Sequence, residues 1–266
     1  MAELLKGGAV AAAMKDGIVT RAAGLRGKGV SPCLAIVRVG ERADDLAYES
    51  GVVKKFEGLG IDVVVRAFPE SVSQADFEQA FGEINADSGV HGILLFRPLP
   101  EGLDEERIKR IIDPAKDVDG TSCTALAVME IFKYYGIGLA GKKVALIGRS
   151  MVVGKPLAAL LIEEDATVTI CHSKTVDLAG ECRRADVVIA AAGVPRMVKK
   201  EYIGQGAVVV DVGINTDADG VLCGDVDFED VEALCSAITP VPGGVGSVTT
   251  SVLAGQVLRA AEEGMN

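Results

Sequence analysis

The residues best suited to chemistry lie in the turn Gly148-Arg149-Ser150, which follows the apolar run 144–147 and precedes Gly154. Gly148 allows a tight exit from a strand, and Gly154 lets the following helix pack closely against that strand. Ser150 offers a hydroxyl and a backbone N–H near a helix N-terminus, where phosphate groups bind. The spacing G-x-S-x-x-x-G differs from the usual dinucleotide fingerprint. The turn predicts a pyrophosphate site, and an ordinary strand–turn–helix is the alternative.

A second predicted strand, 166–171, is followed by the polar residues 172–175. In this place an NAD-binding domain carries an Asp or Glu for the ribose 2′-hydroxyl, whereas a 2′-phosphate requires positive charge and hydroxyl donors. Ser173, Lys174 and Arg149 supply such charge and donors. The residues therefore favour NADP over NAD as the cofactor.

The composition is that of an acidic chain rich in apolar residues, with 266 residues, 49% of them hydrophobic, and a formal net charge of -11. This length allows one large domain or two moderate ones, and we predict two. The negative charge excludes a nucleic-acid partner bound through a basic surface. No apolar run reaches the length that spans a bilayer, and the segment 1–6 lacks the layout of a signal peptide. We therefore expect a cytoplasmic protein with no membrane partner.

The six cysteines include no C-x-x-C pair, which indicates reduced packing residues. The two histidines, His91 and His172, stand at predicted strand boundaries and are not spaced with Cys or carboxylate residues as metal ligands are. We predict no metal site. Both histidines are interpreted as structural, with a contact from His172 to the cofactor as the alternative.

Apolar strand patterns alternate with helical patterns along the chain, which is typical of α/β proteins with parallel sheets. We predict two α/β domains, 1–122 and 123–246, of which the C-terminal one is a Rossmann-like nucleotide-binding domain. A helix is expected over the first 27 residues, and the last helix, within 247–266, is expected to return to the first domain. The cleft between the two domains is the expected place for chemistry. Further predicted helices are 45–59, 74–85, 105–112 and 126–135, and predicted strands include 33–39, 62–67 and 92–96.

The chain resembles the methylenetetrahydrofolate dehydrogenase/cyclohydrolase (FolD) family in ten ordered blocks. These are Val39-Gly40, Tyr48 with Gly60-Ile61, Gly92-Ile93-Leu94, Pro98-Leu99-Pro100, Lys116-Asp117-Val118-Asp119-Gly120, Gly148-Arg149-Ser150 with Val153-Gly154-Lys155-Pro156, Cys171-His172-Ser173-Lys174-Thr175, Val212-Gly213-Ile214-Asn215, Gly224-Asp225-Val226, and Thr239-Pro240-Val241-Pro242-Gly243-Gly244-Val245-Gly246. The resemblance implies a homodimer that binds folate in the interdomain cleft and NADP on the C-terminal domain. It also implies hydride transfer from methylenetetrahydrofolate, followed by hydrolysis of the methenyl product to formyltetrahydrofolate, in one-carbon metabolism and purine biosynthesis.

On the cofactor side, the resemblance implies that Gly148, Arg149 and Ser150 form the phosphate turn. Ser173 is implied to lie near the 2′-phosphate, and Ile214 beside the nicotinamide.

On the folate side, Tyr48 matches a tyrosine that stacks near the pterin, and Asp119 matches an aspartate that takes hydrogen bonds from the pterin's amino edge. Both are candidate catalytic and substrate-binding residues. Gly243 and Gly244 match a backbone turn against the folate. The alternatives are helix packing for Tyr48, a turn-forming role for Asp119 before Gly120, and a plain β-turn for the two glycines.

The chain departs from the family at the catalytic end. The family's acid–base lysine lies four residues after the tyrosine, where this chain has Val52. Phe96 replaces the glutamine that partners this lysine, and Asp45 replaces a serine. The loop after Gly120 is shortened, and Lys55, seven residues after the tyrosine, could substitute only in a reshaped pocket.

These departures affect the two activities differently. Hydride transfer needs mainly the positioning of two carbon atoms. Hydrolysis needs an activated water, and general acid–base groups contribute about a hundred- to ten-thousand-fold to such steps. We therefore predict a dehydrogenase with weak or absent cyclohydrolase activity. The alternative is a FolD-like NADP-binding protein with another substrate or a non-catalytic role.

Overall fold

The computed structural model describes residues 2–120 and 122–265. The chain forms two compact units. The C-terminal unit comprises Met1–Ala12 and Thr121–Thr249, and the N-terminal unit comprises Ala13–Gly120 and Thr250–Asn266.

Strands and helices alternate through most of the described chain. The strands are β1 (Glu3–Leu4), β2 (Cys33–Val39), β3 (Asp62–Phe68), β4 (Gly92–Leu95), β5 (Lys143–Ile147), β6 (Thr167–Cys171), β7 (Val187–Ala190), β8 (Val208–Asp211), β9 (Asn215–Thr216), β10 (Leu222–Cys223) and β11 (Ala237–Ile238). The helices are α1 (Gly7–Gly27), α2 (Ala43–Glu57), α3 (Gln74–Ala86), α4 (Glu105–Lys109), α5 (Cys123–Tyr134), α6 (Gly154–Glu163), α7 (Leu178–Arg183), α8 (Phe228–Val231) and α9 (Thr249–Glu263). Short 3₁₀ segments lie at Lys200–Tyr202, Glu232–Leu234 and Val245–Ser247.

The C-terminal unit is built on a parallel six-stranded sheet in the order β1-β11-β8-β7-β5-β6. The inner strands β5, β7 and β8 are almost wholly apolar, as expected for a parallel sheet covered on both faces. The strands β9 and β10 form a separate antiparallel pair. The predicted α/β class with a Rossmann-like C-terminal domain is confirmed.

The N-terminal unit has a parallel three-stranded sheet in the order β3-β2-β4. Every residue of the central strand β2 is buried. Phe77 and Phe81 of α3 pack in the same core as β2 and β4. Helix α9 is tied to α1 in this unit because Arg21 donates two hydrogen bonds to Glu262, at 2.9 and 2.8 Å.

The beginning of the chain differs from its prediction. A helix was expected over the first 27 residues, but α1 begins at Gly7 and is preceded by β1, which pairs with β11 of the C-terminal unit. The Glu3 N–H donates to Ser236 O, and the Leu5 N–H donates to Ile238 O, both at 2.9 Å. The first residues therefore extend the sheet of the C-terminal unit, whereas the predicted boundary placed 1–122 in one domain.

The six cysteines are free and buried. Within the described ranges, no group of three His, Cys, Asp or Glu side chains is placed to hold a metal ion. Among the helices that the structure describes, none is both long and apolar enough to cross a bilayer.

Candidate functional site

The turn after β5 has a backbone that requires glycine at two positions. Gly148 has φ +126°, and a Cβ atom there would collide with the carbonyl group of Ala191. At Gly154, the first residue of α6, a Cβ atom would lie 2.5 Å from Gly148 O and 2.8 Å from Arg149 Cα. The helix therefore begins directly against the strand exit, as a phosphate-binding turn requires.

Ser150 caps helix α6. Its hydroxyl oxygen accepts hydrogen bonds from the N–H groups of Val153, at 3.1 Å, and Gly154, at 3.3 Å. We expected this hydroxyl to face a phosphate, but the helix terminus uses its oxygen. The backbone N–H groups of 149–152 donate to no acceptor in the described part of the chain. These N–H groups at a helix start fit the pyrophosphate of a dinucleotide.

Arg149 and Ser173 lie at the same edge of the sheet. Strands β5 and β6 are adjacent and parallel, and the Gly148 N–H donates to Cys171 O at 2.9 Å. Arg149 and Ser173 follow the carboxyl ends of these strands and are both exposed. The turn after β6 is held by the His172 N–H, which donates to Thr175 Oγ1 at 2.8 Å. The arrangement supplies the positive charge and the hydroxyl that a ribose 2′-phosphate requires.

Ile214, Gly243 and Gly244 line one pocket of about 230 Å³ in the C-terminal unit. Ile214 is 67% exposed. Gly243 has φ +101°, which favours glycine, and its carbonyl accepts a hydrogen bond from the Gly7 N–H at 2.9 Å. The structure thus brings the predicted nicotinamide contact together with the predicted substrate turn.

A buried carboxylate, Asp211, organises the loops behind this pocket. It is 3% exposed and accepts hydrogen bonds from the N–H groups of Gly213, at 2.9 Å, Asp225, at 3.0 Å, and Val226, at 2.9 Å. Burial raises the pKa of Asp211 to about 6, although these hydrogen bonds oppose the shift. The carboxylate therefore joins the end of β8 to the segment after β10.

A second buried carboxylate, Asp225, is completely inaccessible to solvent. It accepts hydrogen bonds from the backbone N–H groups of Ala192, at 2.6 Å, Gly193, at 3.0 Å, and Val194, at 2.9 Å. The side-chain amide of Asn215, next to Ile214, also donates to it at 2.9 Å. The loop that carries Ile214 is therefore anchored to the loop after β7.

Sequence reasoning assigned no role to Asp211 or Asp225. The available signal was an aspartate directly after the apolar run 208–210 and another in the block 224–226. A charged residue at the end of a buried strand needs hydrogen-bond partners, which backbone N–H groups can supply.

In the N-terminal unit, Tyr48 of α2 packs on Phe96, the first residue after β4. Their ring centroids are 5.5 Å apart, with an interplanar angle of 36°. Phe96 is 7% exposed, whereas Tyr48 is 46% exposed. The Tyr48 ring therefore packs on the buried Phe96 ring and is partly exposed to solvent. The exposed part of the Tyr48 ring can stack on a flat ligand.

Asp119 lies beside the end of β4 because Lys116 and Asp117 pair with Ile93 of that strand. Arg97 Nη2 donates to Asp119 Oδ2 at 3.0 Å. Burial raises the pKa of Asp119, and the charge of Arg97 opposes this shift. Sequence reasoning identified Asp119 and did not identify its partner Arg97.

The position that holds lysine in the family is buried in this chain. Val52 is 1% exposed and lies in the buried face of α2 with Phe56. Lys55 is half-buried, and burial lowers its pKa. With a rise of about 1.5 Å per residue, Lys55 lies about 10 Å along the helix from Tyr48. This distance separates Lys55 from the aromatic pair.

Two ion pairs flank Tyr48 on α2. Arg38 Nε lies 2.7 Å from Glu49 Oε2, and both side chains are largely buried. Arg42 Nε lies 2.7 Å from Asp45 Oδ2. Asp45, which replaces a serine of the family, is therefore neutralised locally, and its neighbours hold the first turns of α2 in place.

Two family models match the chain. Residues 5–119 match the catalytic domain of tetrahydrofolate dehydrogenase/cyclohydrolase, and residues 122–265 match its NAD(P)-binding domain. The curated relatives include two proteins named Bifunctional protein FolD. The one from Alkaliphilus metalliredigens is 48% identical over 283 aligned positions that cover 100% of both chains. The one from Carboxydothermus hydrogenoformans is 50% identical and covers 98% of both.

Solved structures of similar proteins agree with this assignment. A bifunctional FolD enzyme from Campylobacter jejuni has a TM-score of 0.95 and 37% identity, with 99% of each chain covered. A FolD from Trypanosoma brucei, described as complexed with NADP cofactor and inhibitor, has a TM-score of 0.91 and 34% identity, with 100% of this chain and 99% of that chain covered. The family predicted from the residues is confirmed, and the chain belongs to the tetrahydrofolate dehydrogenase/cyclohydrolase family.

Proposed function

We propose that this enzyme oxidises 5,10-methylenetetrahydrofolate to methenyltetrahydrofolate with NADP and contributes little or nothing to hydrolysis of the product. The observation that carries this proposal is a contrast within the chain. The phosphate turn and the pocket of Ile214, Gly243 and Gly244 keep their family residues, whereas the lysine position is filled by the buried Val52.

NADP is the cofactor. Backbone N–H groups of 149–152 would hold its pyrophosphate, Arg149 and Ser173 would hold its 2′-phosphate, and Ile214 would contact its nicotinamide. When bound, NADP would supply the acceptor for a hydride from the methylene carbon of the substrate. Asp211 and Asp225 keep Ile214 in position by accepting hydrogen bonds from the Gly213 N–H and from the Asn215 side-chain amide.

The folate is held by an aromatic side chain, a carboxylate and a backbone turn. Tyr48 stacks on the pterin ring, and Asp119 accepts hydrogen bonds from the pterin's amino edge. Gly243 and Gly244 supply a backbone turn that only small residues permit, because a Cβ atom on Gly244 would collide with Pro240 O. These contacts position the substrate without any proton transfer, which suffices for hydride transfer.

Hydrolysis lacks its acid–base group. Val52 carries no proton that it can donate, and Phe96 replaces the polar partner with a ring that is 7% exposed. Because Lys55 lies about two helical turns beyond Tyr48, it does not replace the missing lysine. An apolar end of the site excludes the water that hydrolysis must activate.

A shortened loop supports the same conclusion. The alignment with the Alkaliphilus relative runs over 283 positions, more than the 266 residues of this chain, so gaps fall in this chain. Thr121 itself lies outside the described residues.

The protein is expected to act in the cytoplasm, and the family resemblance implies a homodimer. Light scattering of the protein as it elutes from a size-exclusion column measures the oligomeric state. A monomer at assay concentrations would contradict the proposed homodimer.

The second candidate is a FolD relative that binds NADP and serves another substrate or a non-catalytic role. The contrast between the retained cofactor residues and the altered catalytic end favours it, because NADP binding does not need a polar side chain at Val52 or Phe96. Calorimetry with tetrahydrofolate and with NADP tests both proposals. Binding of both ligands supports the dehydrogenase, and binding of NADP alone supports the second candidate.

A further inference from the structure

Arg97 and Asp119 form an ion pair that is open to solvent. Arg97 Nη2 lies 3.0 Å from Asp119 Oδ2, and the two side chains are 30% and 32% exposed. Neither side chain makes another side-chain hydrogen bond to a described residue. Ion pairs of this exposure contribute little to stability. The remaining N–H groups of the guanidinium and Oδ1 of the carboxylate are therefore available to a ligand.

The ion pair places a hydrogen-bond donor, the Arg97 guanidinium, next to an acceptor, the Asp119 carboxylate. A carboxylate only accepts hydrogen bonds, and a guanidinium only donates them. A pterin ring carries the matching edge: its 2-amino group and N3–H donate, and its 4-oxo group accepts. Side by side, Asp119 and Arg97 can therefore bind the whole edge, whereas Asp119 alone would leave the 4-oxo group unpaired.

We propose that Arg97 selects the substrate by donating a hydrogen bond to the 4-oxo group of the pterin while Asp119 accepts from the 2-amino group and N3–H. This inference rests on the proposed folate-binding function. Arg97 directly follows Phe96, whose ring supports Tyr48, so the polar pair and the aromatic surface are set by the same end of β4. One ligand can stack on Tyr48 and present its edge to the pair.

The consequence is discrimination against 4-amino pteridines. In a 2,4-diamino ring, an N–H donor replaces the 4-oxo acceptor and faces the guanidinium, which is also a donor, and N3 carries no hydrogen for Asp119 to accept. A site built to donate a hydrogen bond rejects a ligand that lacks the acceptor, because a buried polar group is left unpaired.

The test is a binding comparison between folate and its 4-amino-4-deoxy analogue, with NADP present, by calorimetry. The wild-type protein is expected to bind folate about tenfold or more tightly than the analogue. Arg97→Leu is expected to reduce this ratio by about threefold or more, because the donor that faces the 4-amino group is removed, while Asp119 still faces an N3 that carries no hydrogen in the analogue. Arg97→Lys, which keeps the charge and one donor direction, is expected to give an intermediate ratio.

Three results would overturn the proposal or its basis. Equal weakening of both ligands in Arg97→Leu, with the ratio unchanged, would mean that Arg97 only positions Asp119. A wild-type protein with no preference for folate would also exclude selection by Arg97. A wild-type protein that binds NADP and neither pteridine would contradict the proposed function itself. Arg107→Leu removes an exposed arginine that pairs with Glu78 in the same unit, and it should leave the ratio unchanged.

Discussion

Val52 follows Tyr48 by one turn of α2, yet Val52 is 1% exposed and Tyr48 is 46% exposed. Helix α2 therefore holds the Tyr48 side chain at the surface of the site, whereas the Val52 side chain, one turn later, points into the core. A family member with lysine here would place a titratable amine one turn from the tyrosine. In this chain the same position contributes only packing, and we propose that this difference separates the two activities.

Restoring both polar residues is expected to restore hydrolysis. Val52→Lys together with Phe96→Gln supplies an amine and removes the ring that seals the site. We expect methenyltetrahydrofolate hydrolysis to rise by about tenfold or more, part of the range that general acid–base groups contribute. The rate is measured as loss of the methenyl absorbance.

The matched control is Val52→Met with Phe96→Gln, which has a long side chain without an amine. An equal gain in this control would show that water access, not the amine, limits hydrolysis. Val52→Lys alone is expected to lower the free energy of unfolding by roughly 3 kcal/mol, because it buries an unpaired amine. Thermal unfolding shows whether each variant is folded at the assay temperature.

Removing Arg149 is expected to change cofactor choice. Arg149→Ala removes a positive charge at the proposed 2′-phosphate site, so the dissociation constant for NADP should rise by about tenfold or more, while that for NAD changes much less. Lys142→Ala removes an equal charge just before β5, at the opposite end of that strand, and serves as the control. An equal loss for both cofactors in Arg149→Ala would contradict the assignment.

Several features could be predicted because their causes are local in the chain. The run 33–39, apolar except for Arg38, predicted the observed bounds of β2, since a central parallel strand is buried on both faces. Gly148 and Gly154 were identified from their spacing, and the structure leaves no room for a side chain at either position. Helix α4 was predicted to reach 112, but it ends at Lys109.

Other features have causes that are distant in the chain. Strand β1 is only two residues long, too short for a periodic pattern, and it forms because β11 offers a free edge. The pairing of Arg97 with Asp119 depends on the register between β4 and the segment at Asp117. The roles of the buried aspartates depend on backbone N–H groups, which no residue type reveals.

Replacing Asp225 by asparagine is expected to destabilise the protein. Asp225 Oδ2 accepts hydrogen bonds from the N–H groups of Ala192 and Gly193. An asparagine amide nitrogen in the place of Oδ2 would face these two donors and could accept neither hydrogen bond. We expect Asp225→Asn to lower the free energy of unfolding by roughly 3 kcal/mol in urea titrations. Asp219→Asn makes the same chemical change at an exposed turn and should have little effect. Equal stability of the two variants would contradict the anchoring role of Asp225.

The buried Asp211 is expected to make stability depend on pH. Burial raises its folded pKa to about 6, whereas an unfolded aspartate titrates near about 3.9. Between these values the folded state holds a proton that the unfolded state has lost, so this contribution to stability is complete below about pH 4 and is lost as the pH rises through about 6.

The test compares the wild-type protein with Asp211→Asn, which has no carboxyl group to titrate. The advantage of the wild type in unfolding free energy is expected to shrink by up to about 3 kcal/mol between pH 4 and pH 7. Urea unfolding at both pH values measures it. An advantage that stays constant or grows with pH would contradict the raised pKa.

The most direct test of the account follows reduced cofactor and methenyl product as separate absorbance bands, with purified protein, methylenetetrahydrofolate and NADP. We predict that NADPH forms and that methenyltetrahydrofolate accumulates with it, decaying only at the rate seen in buffer. Formation of NADPH with rapid, protein-dependent loss of the methenyl band would contradict the separation of the two activities. Absence of NADPH from a protein that binds both ligands would contradict the dehydrogenase itself.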